Sequence, residues 1–178
     1  MLYLKEQSNE NNGMGCQSLI LASAPTSASL IQGESKRLYR EIAGISSEQE
    51  EQHEDPASKQ QHTEAFRQTH ECRLVHTPLA LMDALAQAGP TSWRGIPAIA
   101  DYKVSEVLSS MQLPTLVLTG EYDFCTPACV EGWKDVIPNP APKEVVLTNC
   151  SHYGMLEDER QYGKAITEFL LAKDNKEN

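Results

Sequence analysis

No run in this 178-residue chain approaches the about 18 consecutive apolar residues of a membrane span, so a membrane-crossing helix is not expected. The opening MLYLKEQSNENNGMG turns charged and polar after Leu4 and offers no signal-peptide core. Positive charge is scarce: 15 Lys and Arg stand against 25 Asp and Glu, a net charge of −10. Such a surface repels phosphate backbones, which argues against nucleic acid as a partner. The five cysteines are odd in number and scattered, unlike a disulfide framework, and a reducing, cytoplasmic setting is the expectation. No internal repeat is visible. The length suffices for one domain with a sizeable core, and the apolar share of 40% stands somewhat below the about 45–50% of globular chains.

What is present alternates between short apolar runs and helical periodicity. Gln17–Ser23, QSLILAS, suits a buried parallel strand, and Ala24–Ser29 reads as a loop around Pro25. Glu34–Ile42 places Leu38 and Ile42 four apart, a short helix stopped by Gly44. Ser46–Gln61 is acidic and polar, a solvated loop or exposed helical turn. Thr63–Leu74 spaces Phe66, His70 and Leu74 as a helix does. In Thr77–Ala88, Thr77 and Pro78 form a start signal, and Leu79, Met82 and Leu85–Ala86 an apolar stripe. Further on lie a helix over Val104–Met111, a strand Thr115–Thr119 and a helix after Thr126–Pro127 carrying Val130, Trp133 and Ile137. A strand Glu144–Thr148 and a helix Glu157–Ala172, with Ala165, Ile166, Phe169 and Leu170 inward, complete the chain. The pattern predicts an α/β fold: about three parallel strands with flanking helices, interrupted by a helical insertion placed like a lid over strand ends.

Two segments carry chemistry. LPTLVLTGEYDFCTP delivers Asp123 just past the strand Thr115–Thr119, and TNCSHYGM delivers His152 just past Glu144–Thr148. An acid and then a histidine, each at the carboxyl end of a buried strand, is the second half of a Ser–Asp–His triad in α/β-hydrolase order. The histidine handles a proton near neutral pH, and the carboxylate fixes its tautomer. As a bland alternative Asp123 caps the helix at Pro127, but Thr126 is better placed for that. Cys125, Cys129 and Cys150 with His152 lack the spacing of a zinc set. The thiols at 125 and 129 read instead as small apolar groups, and no cofactor or metal is expected. His62, His70 and His76 read as structural.

On these residues the chain resembles the C-terminal portion of the proline iminopeptidase family of α/β-hydrolases. QSLILASAPTSAS looks like the strand after the nucleophile helix, LPTLVLTGEYDFCTP like the acid-bearing turn, and CSHYGMLEDERQYGKAITEFL like the histidine loop and last helix. The resemblance implies hydrolysis of N-terminal peptide bonds or small amides, with Asp123 the orienting acid and His152 the general base. It further implies a polar remnant at 1–15, an incomplete hydrolase core at 16–23 and 104–172, a helical cap at 24–103 and a frayed tail at 173–178. Family members anchor the substrate's ammonium through cap glutamates, and Glu64 in HTEAF falls at one such place. Near the other this chain offers Ser92 and no acid, which leaves hydrolysis of an amide or ester of different specificity as the alternative. Trp93 is a candidate pocket-lining residue, although packing serves equally well for it.

No G-x-S-x-G segment occurs in this sequence. Ser18 and Ser23 flank a strand, Ser46–Ser47 lie in a polar loop, and Ser151 precedes the histidine. The nucleophile of the family's reaction is therefore expected outside this chain, which alone is expected to be inert. The apolar strand near residue 20 lacks its upstream neighbour, so its edge invites a second copy or another partner chain.

Overall fold

The computed structural model describes residues 17–46, 53–88, 101–104, 113–138 and 140–174. The expected remnant at 1–15, the helix Val104–Met111 beyond its first residue, and Trp93 lie outside these. Three strands form one parallel sheet in the order β1-β2-β3, namely β1 (Leu19–Ala22), β2 (Thr115–Gly120) and β3 (Lys143–Leu147). The register pairs Leu21 with Val117, and Leu118 with Val145.

All six residues of β2 are buried, as a central parallel strand covered on both faces requires. Alternation splits them. Leu116 and Leu118 face Leu147, Cys150, Ala165 and Phe169, while Val117 faces Phe124, Trp133, Ile137 and Phe66 on the other side. Each buried Leu or Val side chain contributes about 1.5–3 kcal/mol, so this one strand anchors both cores. The free thiols of Cys125, Cys129 and Cys150 are buried in the same clusters.

Helix α1 (Ala28–Ala43) is longer than its periodicity implied. Ser27 caps it, with Leu30 N donating to Ser27 Oγ at 3.4 Å, and the buried stripe Ala28, Ile31, Ser35, Leu38 begins before Glu34. Gly44 ends it at φ +66°, a left-handed position that glycine takes without strain.

Helix α2 (Pro56–Phe66) takes the helical alternative for the end of the segment expected as a solvated loop or exposed helical turn through Gln61, and runs longer than a turn. Asp55 accepts from Ala57 N and Ser58 N at 3.0 and 3.1 Å, and Pro56 occupies the first turn, a start signal masked by the polar composition. The helix then widens into a π-turn, Arg67–Glu71, closed by Cys72 N donating to Arg67 O at 2.8 Å. The extra residue in that turn is why Leu74 falls beyond the helix.

Helix α3 (Leu79–Ala88) presents the expected stripe outward: Leu79 is 76% exposed and Met82 53%, whereas Leu81 is buried. LALMDALA is apolar nearly all round, so periodicity does not select a face. The helix after Thr126 divides into α4 (Pro127–Val130) and α5 (Trp133–Val136). The last expected helix is α7 (Glu159–Asp174), preceded by the short α6 (Gly154–Glu157); between them Asp158 Oδ1 accepts from Gln161 N at 2.8 Å. Ala165 and Phe169 face inward as expected, but Leu170 is exposed.

Candidate active site

The turn after β2 and the loop after β3 are zipped together by main-chain bonds. Glu121 N donates to Leu147 O at 3.0 Å and Tyr122 N to Cys150 O at 2.9 Å. Asn149 takes φ +57°, which its short polar side chain tolerates, and its N–H donates to Glu121 Oε2 at 2.7 Å. Glu157 then holds the loop from below, accepting from Ser151 N at 2.6 Å and Ser151 Oγ at 2.5 Å. Gly120 lets the two segments approach, because a Cβ there would lie 2.5 Å from Cys150 O.

This scaffold brings Asp123 and His152 together. The Asp123 side chain is fully buried, and its Oδ1 lies 3.0 Å from His152 Nδ1. A carboxylate accepts, so the ring proton sits on Nδ1 and leaves Nε2 as the basic nitrogen. Among the described residues Nε2 has no hydrogen-bond partner. The ring stacks on Phe124 at 4.2 Å between centroids and meets the edge of Tyr153 at 5.2 Å. It borders a cavity of about 120 Å³ at the carboxyl ends of all three strands, lined also by Ser23, Gly120, Tyr153 and Met155.

Asp123 is not the cap of α4. Its Oδ1 also accepts from Cys125 N at 2.7 Å, and its Oδ2 accepts from Ser23 Oγ at 2.5 Å. Three donors thus satisfy a carboxylate taken out of water, as a buried charge requires. Ser23 sits at φ +47°, a strained setting for a residue other than glycine. Its place beside a strand was plain in the sequence, but its hydroxyl's role was not, because the partner lies 100 residues away. Thr126 spends its hydroxyl on Glu34 Oε2 at 2.7 Å.

Glu64 is exposed and accepts from Gln68 Nε2 at 2.9 Å, one turn further along; it does not line the cavity beside His152. His70 does more than the structural role expected of it. Its Nδ1 donates to Tyr122 O at 2.6 Å, beside the acid. Burial pushes the Cys150 thiol up, and the Cys125 thiol is pushed up first by its hydrogen bond with Cys129 and then by burial. Neither is therefore a ready thiolate nucleophile. Among the described residues no three His, Cys, Asp or Glu side chains converge as a metal ion would need.

No family model matches the chain. A proline iminopeptidase of Lactobacillus delbrueckii subsp. bulgaricus is 25% identical over 174 residues, covering 90% of this chain and 58% of the relative. That of Lactobacillus crispatus is 26% identical over 175 residues, covering 90% and 59%. Among solved structures, VinJ is 25% identical with a TM-score of 0.70, over 89% of this chain and 58% of that one. The proline iminopeptidase of Mycobacterium smegmatis is 24% identical with a TM-score of 0.79, over 98% of this chain and 61% of that one. These likenesses and the parallel sheet place the chain among the α/β-hydrolases. In sequence it is similar to proline iminopeptidases, and it spans less than two thirds of the length of the curated relatives it matches. Among the described residues no helix is long and apolar enough to cross a membrane.

Proposed function

We propose that this chain is the acid–histidine part of a proline iminopeptidase-like serine hydrolase, acting on N-terminal peptide bonds or small amides when completed. The observation that carries the reading is the 3.0 Å bond from His152 Nδ1 to the buried Asp123, with Nε2 left unpaired among the described residues. In that arrangement His152 Nε2 takes the proton of a hydroxyl delivered to the cavity and returns it to the leaving amine. Asp123 holds the tautomer and stabilises the imidazolium. The serine and the oxyanion donors come from outside this sequence, so the chain alone is inert. By the family resemblance residues 24–103 serve as the cap and Glu64 and Trp93 as substrate contacts, although Glu64 stands outside the cavity beside His152. Free thiols at Cys72, Cys125, Cys129 and Cys150 support a cytoplasmic setting.

A fluorophosphonate probe tests the missing nucleophile: no adduct is expected on this chain, and a covalent adduct would refute the claim. Joined to an upstream segment carrying a G-x-S-x-G serine, the chain is expected to hydrolyse aminoacyl-p-nitroanilides, with activity lost in His152→Ala. Activity that survives that substitution removes the histidine from the mechanism.

A second reading, a non-catalytic interaction module, draws on β1, which stands at the end of the strand order with β2 as its one neighbour among the described residues. A monodisperse dimer without hydrolysis in the joined form favours it.

A further inference from the structure

The π-turn Arg67–Glu71 meets both loops that carry the acid and the histidine. From one side, His70 Nδ1 donates to Tyr122 O at 2.6 Å, one residue before Asp123. From the other, His152 N donates to His70 O at 3.3 Å and Tyr153 N to Glu71 O at 3.1 Å. Just beyond the turn, Arg73 lies 3.8 Å over the Tyr122 ring and donates to Asn149 Oδ1 at 3.2 Å. Phe66, just before it, packs at 6.1 Å between centroids from Phe124, the ring on which His152 stacks.

We infer that this π-turn is a positioning clamp for His152, with His70 its side-chain tether. The carbonyls at the end of a helix lack intrahelical donors, and the amides at the start of the next lack acceptors. Here His70 O and Glu71 O, at the end of one helical segment, meet His152 N and Tyr153 N, the two residues that lead into α6. The bonds fix the main chain of the histidine at the atom next to its side chain. The π geometry supplies the fit, since one extra residue in the turn re-aims the carbonyls, a device that recurs at functional sites. The His70 side chain closes the third corner on the acid turn. Acid and histidine are thereby referenced to one segment contributed by the helical region. The inference rests on Asp123 and His152 being the proton-handling pair.

The test uses the whole chain, labelled with ¹⁵N. His70→Phe keeps a ring against Phe66 and removes the donor; His70→Asn keeps a donor close to where Nδ1 stands. In His70→Phe, the amides of His152 and Tyr153 are expected to exchange about tenfold faster than in the parent, the loss of roughly one hydrogen bond. Amides of β2 serve as the reference for global opening. The His152 ring is expected to lose its single Nδ1–H signature in long-range ¹H–¹⁵N spectra, and His70→Asn to restore both signals. Unchanged exchange and ring signals in His70→Phe overturn the clamp, as does an equal acceleration of β2 amides or a failure of His70→Asn to rescue. Asp123→Asn separates the two readings: it should release the ring tautomer while leaving the His152 and Tyr153 amides protected. A ring that keeps Nδ1–H in Asp123→Asn defeats the pair and leaves the clamp to be judged on exchange alone.

Discussion

Gly120→Ala is the sharpest perturbation this structure offers. An added Cβ would sit 2.5 Å from Cys150 O and 2.7 Å from its carbonyl carbon, with Ser151 O closer still. Ordinary contact begins at 3.4 Å, so the nearest separations fall short by about 0.9 Å or more. The obstacles are main-chain atoms that cannot rotate aside, and the residue that follows them is His152. If the loop takes up the shift, the 3.0 Å bond to Asp123 stretches toward about 3.9 Å, past the distance at which a hydrogen bond holds. Overpacking a well-filled site costs about 1–3 kcal/mol, and a clash with main chain belongs at the upper end. For a domain of this size about 3 kcal/mol lowers Tm by roughly 6–12 °C. Gly163→Ala is the matched control: it lies in α7 with nothing within 4 Å of its would-be Cβ, and alanine there gains up to about 1 kcal/mol from helix propensity. Urea melts of both variants, read with the His152 ring spectrum, decide the matter. A Gly120→Ala protein that melts with the parent and keeps its Nδ1–H signal would refute the proposed coupling between strand packing and the pair.

Ser23→Ala leaves the buried Asp123 Oδ2 without its 2.5 Å donor and should cost about 1–3 kcal/mol in urea melts. Ser23→Gly loses the same bond but relieves a φ of +47°, so it should be the milder of the two; the reverse order would contradict the strain argument. Acid should weaken the attachment of α1 to the turn before α4. Glu34, half-buried, is held below its ordinary 4.5 first by its bond to Arg37, with Thr126 adding to it. A depressed carboxylate stabilises fully above its unfolded value and loses that contribution as pH falls through the folded one. Tm measured from pH 6 to pH 3 should therefore fall more steeply for the parent than for Glu34→Gln below about pH 4.5, and parallel curves would show that the pairing contributes nothing.

The sheet and the pair were legible because each rests on local pattern. LVL in β2 and VVL in β3 are short apolar runs that break into turns, and the two titratable residues stand directly beyond them. Other features depend on partners far away in sequence. Ser23 and Asp123 are 100 residues apart, and His70 and Tyr122 are 52 apart, so no local periodicity marks either contact. The start of α2 hid for a different reason: Asp55 and Pro56 form a valid helix start, but the surrounding polarity outweighed it. In α3 the fault was degeneracy, since a helix apolar on most sides carries no record of which side is covered.

The register of the sheet explains how β2 and β3 bring the acid and histidine loops side by side. Gly120 pairs with Leu147, Asp123 follows three residues after the first and His152 five after the second. The two intervening segments exchange main-chain bonds, Glu121 N to Leu147 O and Tyr122 N to Cys150 O. A slip of one residue would turn Leu118 and Val145 toward the wrong core and is strongly disfavoured. The pairing of β2 with β3 thus sets the two loops side by side, while Ser23 at the end of β1 holds the carboxylate and the π-turn holds the loop of the imidazole. A strand on the outer edge of β1 is where the proposed function places the source of the hydroxyl, and the register of β2 and β3 already sets the acid and histidine loops side by side.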